Sequence, residues 1–301
     1  RGEETREKRE EYEERLDYEL DVIAGTGFAG YFLIYADFVR WGKENGIPFG
    51  PGRGSGSGSV VVRSLGITDC DPIVHGLLFE RFLNPERAIG GGMGSPDIDI
   101  DICTRRRADV IEYLRQRYGR DSVGYIATFK VLVGKTALKD AGRVLGLGFH
   151  RLNSILSGAP QNAKNAKGEL KAPTVAWLVE NHGPLREAAE IDPLVAETVR
   201  IAADLEECVR DCGVHACGIG VSRGPLSDWV PITTTKRGEL CSQWDWHETE
   251  DAGIIKFDML GLSTVTMLDI AAKAARVNLA DLPLDDQATY GLRARGDTLG
   301  V

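Results

Sequence analysis

The chain has 301 residues, of which 43% are apolar, and a formal net charge of −9. That length allows one large or two ordinary domains with a sizeable core, which excludes disorder throughout, and no apolar run nears the roughly 18 residues of a membrane span. An acidic balance argues on its face against a nucleic-acid partner, but carboxylates that hold cations make an enzyme locally acidic, and basic stretches still form a phosphate track.

In chain order, no charged-then-apolar leader opens the sequence. Residues 1–24 predict a helix, because Tyr12, Leu16, Leu20 and Ile23 recur at three and four, and the charge run Glu3–Arg15 reads as its solvated face. The aromatic segment Tyr31–Trp41 has the same spacing in Phe32, Tyr35, Phe38 and Val39. Gly50–Ser59, GPGRGSGSGS, then leads into Val60–Leu65. Such a run is a flexible linker by default. Pro51 and Arg53 interrupt it, however, and a Gly/Ser loop feeding a helix N-terminus offers backbone N–H groups to a phosphate. Arg53 adds a bidentate donor. No Gly-Lys-Ser/Thr closes the run, so it is not a Walker loop.

Residues 97–102, DIDIDI, alternate strictly and predict a strand. Helices are expected over Arg105–Arg120 and Thr136–Leu145. Residues 158–174 are polar and read as a loop. Helical patterns resume from Ala176 to about Arg210, and strand-like runs follow at 218–222 and 254–260. A helix-rich insert between strand-bearing stretches points to an α+β domain with a helical excursion. The six cysteines (70, 103, 208, 212, 217 and 241) form no CxxC pair, and Cys208, Cys212 and Cys217 lack zinc-finger spacing; they read as reduced thiols of a cytosolic protein.

The aspartate strand carries the most chemistry. In a strand, Asp97, Asp99 and Asp101 share a face, and three like charges in a row repel unless a cation offsets them. Adjacent members stand ~6.6 Å apart along the chain, which suits two metals about 3.5–4 Å apart. All three span ~13 Å, too far for one metal pair, so two adjacent members ligate together with a carboxylate from elsewhere. A solvent-facing acidic strand is the competing reading. Asp258 is the available partner, since it shares a face with Lys256 in an apolar strand; the alternative there is an internal Lys256–Asp258 pair.

Together, GYFLIYADFVRWGKENGIPFGPGRGSGSGS, LLFERFLNPER, PDIDID, YGRDSVGYIATF and KFDMLGL resemble the alpha subunit of bacterial DNA polymerase III, a C-family replicative polymerase. The likeness is dense over about 10–145 and 205–301 and thin over about 150–200. It implies a nucleotidyltransferase palm like that of DNA polymerase beta, with a helical thumb insertion. The expected parts are palm 1–145 and 206–262, thumb 146–205 and the opening of the fingers 263–301. It assigns catalysis and metal binding to Asp97, Asp99 and Asp258, with two Mg²⁺ ions that Mn²⁺ can replace. It places Gly54, Ser55, Arg81, Arg87 and Lys256, joined by Arg53, near the incoming nucleotide or primer end. His215 falls in the place of the family's Lys-His-Ala-Gly-Gly segment. Ile102, Val214, Cys217 and the long Ala88–Ser95 depart from the family pattern and point to a divergent lineage, such as a phage's.

The implied reaction is template-directed transfer of a deoxynucleotide to a primer 3′-hydroxyl. The partners are primer-template DNA and deoxynucleoside triphosphates; a sliding clamp and other replisome subunits are expected to bind through regions outside this piece, in the cytoplasm at the nucleoid, with no membrane. Arg105, Arg106, Arg107, Lys130, Lys135, Lys139 and Arg143 are candidates for duplex phosphates. The chain opens at Arg1 with no methionine and reads as a piece of a longer protein, inactive or weak alone.

Overall fold

The computed structural model describes residues 2–84, 96–164, 168–283 and 285–296, with residues 2–7 and 280 as backbone only. They fall into two compact units, one made of 1–125, 216–242 and 246–301, the other of 126–215 and 243–245. Among the described residues no single helix is long and apolar enough to cross a membrane.

The helices are α1 (Gly2–Thr26), α2 (Ala29–Glu44), α3 (Val60–Ser64), α4 (Arg107–Tyr118), α5 (Gly134–Val144), α6 (Phe149–Ile155), α7 (Val175–Asn181), α8 (Gly183–Ile191), α9 (Pro193–Asp204), α10 (Trp246–Asp251), α11 (Ser263–Ala275) and α12 (Gln287–Ala294). The strands are β1 (Asp99–Cys103), β2 (Val123–Val131), β3 (Ala163–Lys164), β4 (Leu170–Lys171), β5 (Val209–Val221), β6 (Ile232–Thr234), β7 (Leu240–Ser242) and β8 (Ile255–Leu262). Six of them form one mixed sheet in the order β1-β8-β5-β2-β7-β6, while β3 and β4 pair as a separate ribbon. The fold is α+β.

The core of the first unit follows from two periodicities. Helical spacing brings Tyr31, Phe32, Tyr35, Phe38 and Val39 of α2 to one buried face. Strand alternation buries Ile100 and Ile102 of β1 and Phe257 and Met259 of β8. The two sets meet: the Phe257 ring stacks 5.3 Å from Tyr31 and lies 5.0 Å from Tyr35. In the second unit Leu138, Leu178, Leu185 and Val195 are fully buried. There Glu206 accepts the N–H groups of Gly134 (2.8 Å) and Val175 (2.9 Å), capping α5 and α7 together.

Several elements differ from expectation. The aspartate strand starts at Asp99, because the backbone of Ile98 bonds to tyrosine hydroxyls instead of a neighbouring strand. The strand at 218–222 is the end of a 13-residue β5 whose outer half is largely exposed and so lacks an apolar signature. Val123–Val131 is a strand, and the polar loop at 158–174 contains the β3–β4 ribbon. The helical stretch from Ala176 is three helices, because Pro184 and Pro193 each open a new one and Asp192 caps α9 through the Leu194 N–H (2.8 Å).

Glu19, four residues beyond the charge run read as solvated, is fully buried. It accepts the Ser59 hydroxyl (2.5 Å) and the Val60 and Val61 N–H groups (both 3.1 Å), and Arg15 pairs with it at 2.8 Å. Ser59 in turn caps the Val62 N–H at 3.1 Å. Glu19→Ala would strip the start of α3 of its acceptor and leave several buried donors unmet, costing about 3 kcal/mol or more. Ser59→Ala should cost about 1–2 kcal/mol. Denaturant midpoints of the two variants check the order.

Candidate metal centre

Parallel pairing of β1 with β8 places Asp99 opposite Asp258. Asp97 stands two residues before Asp99, and one carboxylate oxygen from each of the three aspartates lies within 4.8 Å of the others. Asp258 Oδ2 pairs with Lys256 Nζ at 2.7 Å, so the internal pair weighed for this strand does form. Asp258 Oδ1, by contrast, is buried with no hydrogen-bond partner. A buried carboxylate oxygen without a donor, on a residue clustered with two more carboxylates, is an arrangement that a hard divalent cation satisfies. The donor set therefore fits Mg²⁺ or Mn²⁺. Asp97 remains open to solvent, yet the protein crowding around it raises its pKa above the ordinary aspartate range. Asp99 and Asp258 push the same way, and Lys256 opposes them. Burial and the nearby Asp258 likewise push the Cys217 thiol up.

Asp101 is set apart from this cluster. Arg53 donates its Nε to Asp101 and its Nη1 to Asp99, both at 2.9 Å. Gly54, at φ +71°, follows directly, and a Cβ there would meet Asp99 Oδ2 at 2.9 Å. Only glycine allows the loop to come this close to the carboxylate. Ser55 opens the short turn Ser55–Gly58 and is exposed. The helix N-terminus expected to cradle phosphate is already capped, since Glu19 and Ser59 take the amides of Val60, Val61 and Val62. Donors for a phosphate would have to come from the turn at Gly54–Ser55.

The remaining candidates separate by their partners. Lys256 rests 5.0 Å from the Trp246 ring centroid. Arg81 is exposed at the end of the turn Phe79–Arg81, and Arg87 lies outside the described residues. Arg107 donates to the carbonyls of Met259 (2.7 Å) and Cys217 (3.3 Å), so it braces β8 and β5 and is not free for a phosphate. Arg106 pairs with Asp109, and Lys135 with the Ala159 carbonyl. Arg105 and Lys130 are exposed. Lys139 and Arg143 line a cavity of about 380 Å³ with Arg210 and Phe149, and Asp140 in its wall bonds both arginines (2.9 and 2.7 Å). Arg210 was passed over because it closes a helical pattern in the sequence, whereas it lies on β5. His215 is half-buried on the same strand.

Residues 2–261 match the family described as the bacterial DNA polymerase III alpha NTPase domain. Among curated proteins, the chain is 43% identical over 299 residues to DNA polymerase III subunit alpha of Caulobacter vibrioides, covering 97% of this chain and 25% of that protein. It is 41% identical to the Aquifex aeolicus subunit over 97% of this chain and 26% of the relative. The Escherichia coli O6:H1 subunit is 39% identical over 99% of this chain and 26% of its own length. The chain thus spans about a quarter of the curated relatives it matches.

The raised Asp97 pKa fixes a sign. The folded protein holds this proton to higher pH than the unfolded chain does, so stability falls as pH rises from the ordinary aspartate value through the raised one. Thermal midpoints in EDTA should show that fall, and Asp97→Asn should flatten it. Added Mg²⁺ should reverse the slope, because a cation favours the ionised form. Gly54→Ala should weaken Mg²⁺-dependent stabilisation, read as a smaller rise in the thermal midpoint at saturating metal.

Proposed function

Because this chain belongs to the bacterial DNA polymerase III alpha family, we propose that it carries the nucleotidyl-transfer centre of a replicative DNA polymerase. The reading rests on one observation above all: carboxylate oxygens of Asp97, Asp99 and Asp258 lie within 4.8 Å of one another, and one Asp258 oxygen is buried and unpartnered. In this reading the mixed sheet is a polymerase-beta-like palm, 146–205 the thumb insertion and 263–301 the start of the fingers. Asp97, Asp99 and Asp258 would hold two Mg²⁺ ions, which when bound supply activation of the primer 3′-hydroxyl and neutralisation of phosphate charge. The substrates are primer-template DNA and deoxynucleoside triphosphates, and the setting is the cytoplasm at the nucleoid. Clamp and replisome partners would engage other parts of the full-length protein.

The chain's own residues divide the remaining work. Lys256 offsets part of the charge on Asp258 and presents an ammonium to the primer end or the triphosphate. Arg53 holds Asp99 and Asp101 through hydrogen bonds. Its planar fork at the edge of the cluster would suit bidentate contact with a phosphate. Gly54 keeps the approach to Asp99 clear, and Ser55 supplies a hydroxyl at the same edge. Exposed Arg105 and Lys130, together with Lys139 and Arg143, contact duplex phosphates without reading sequence, since base pairing supplies the specificity.

Template-dependent primer extension by the full-length protein tests the reading. Asp99→Asn and Asp258→Asn should each remove nearly all extension while leaving the fold intact. Asp101→Asn should be far milder, because Asp101 serves Arg53 and stands outside the cluster. Equal loss from Asp101→Asn and Asp99→Asn would overturn the assignment, and extension that ignores template sequence would point to a template-free nucleotidyltransferase.

A further inference from the structure

Beneath the carboxylates lie two tyrosine hydroxyls with no part in the chemistry above. Tyr31 is 2% exposed and Tyr35 is completely buried, one helical turn apart on α2. The Ile98 N–H donates to the Tyr31 hydroxyl at 3.1 Å. The Tyr31 hydroxyl reaches that of Tyr35 at 3.5 Å, and Tyr35 donates to the Ile98 carbonyl at 2.7 Å. Each phenol has one proton, and this circuit uses both. Burial raises both pKa values well above the ordinary range for tyrosine, so the protons stay in place. Tyr35 also accepts the Asp258 N–H at 3.1 Å.

The two backbone segments served by this circuit are those that carry the ligands. Ile98 sits between Asp97 and Asp99, just before the ladder of β1 begins, so sheet pairing does not hold it. Asp258 occupies the first rung of the β1–β8 ladder. We propose that Tyr31 and Tyr35 are positioning residues for the metal centre: their hydroxyls hold the peptide between Asp97 and Asp99 at a fixed distance from the Asp258 backbone, where no strand does so. The proposal rests on Asp97, Asp99 and Asp258 being cation ligands. A core role alone would need the rings, which pack on Phe257, but not the hydroxyls. Removing a hydroxyl leaves the rings packed and frees the Ile98 peptide to shift, and ligand geometry is sensitive to such shifts.

The test measures Mn²⁺ binding to the full-length protein by electron paramagnetic resonance, alongside thermal midpoints. Binding at this centre is the part lost in Asp258→Asn. Tyr35→Phe should weaken it about tenfold, the equivalent of one buried hydrogen bond, and Tyr31→Phe should weaken it to a lesser degree. Tyr113→Phe is the control, since its hydroxyl bonds Asp37 at 3.0 Å and serves no ligand segment. It should lower the thermal midpoint comparably and leave Mn²⁺ affinity unchanged. Unchanged affinity in folded Tyr35→Phe and Tyr31→Phe would overturn the clamp and leave the polymerase reading standing. Equal weakening by Tyr113→Phe would also overturn it, by making the effect one of general stability. If the unmodified protein and Asp258→Asn bind Mn²⁺ alike, the functional reading fails first and the clamp falls with it.

Discussion

Carboxylate oxygens held within 4.8 Å of one another repel strongly in any environment drier than bulk water. Much of the first unit is arranged to withstand that repulsion. Register between β1 and β8 fixes Asp99 against Asp258 through backbone bonds that neither side chain can loosen. A layer of aromatic rings from α2 stiffens the sheet from behind. Lys256 and Arg53 stand on either side as internal counter-charges. A cation bound at such a centre would meet carboxylates already gathered, so little of its binding energy would go to assembling them.

The sequence made the aspartate face legible because strict alternation leaves little ambiguity about which residues share a side. It also exposed Asp258, since a charge inside an apolar run stands out. Where the signal was blended, it failed. Glu19 looks like the acidic residues flanking it, Asp17 and Asp21, and nothing local marks it as a carboxylate turned inward. Arg107 sits among three consecutive arginines, and only the fold shows that its guanidinium reaches carbonyls of two strands. The outer half of β5 escaped notice because its residues are exposed in large part and carry no hydrophobic period. Tyr31 and Tyr35 were visible as core aromatics, but the reach of their hydroxyls across 67 and 63 residues to Ile98 was not.

Glu19 and Glu206 share a solution to a general problem. Each brings a carboxylate to backbone amides at helix starts, where a positive dipole end would otherwise face the interior. For α3 this also fixes the preceding loop. With these amides taken, the glycine-serine run is anchored at its far end, while Gly54 lies close against Asp99.

The Tyr35–Asp258 hydrogen bond joins residues 223 positions apart in the chain. Arg107 and Met259 are tied across 152. Contacts of such long range slow folding, because the loop entropy is lost before the contact forms. On the ribosome, the α2 aromatics and the DIDID segment emerge long before β8 exists to receive them. Until that strand arrives, the edge of β1 it will cover has unmet backbone groups and apolar neighbours, the features that recruit a wrong partner strand. The nascent chain's period of greatest risk should therefore lie between synthesis of the first aspartates and synthesis of the last.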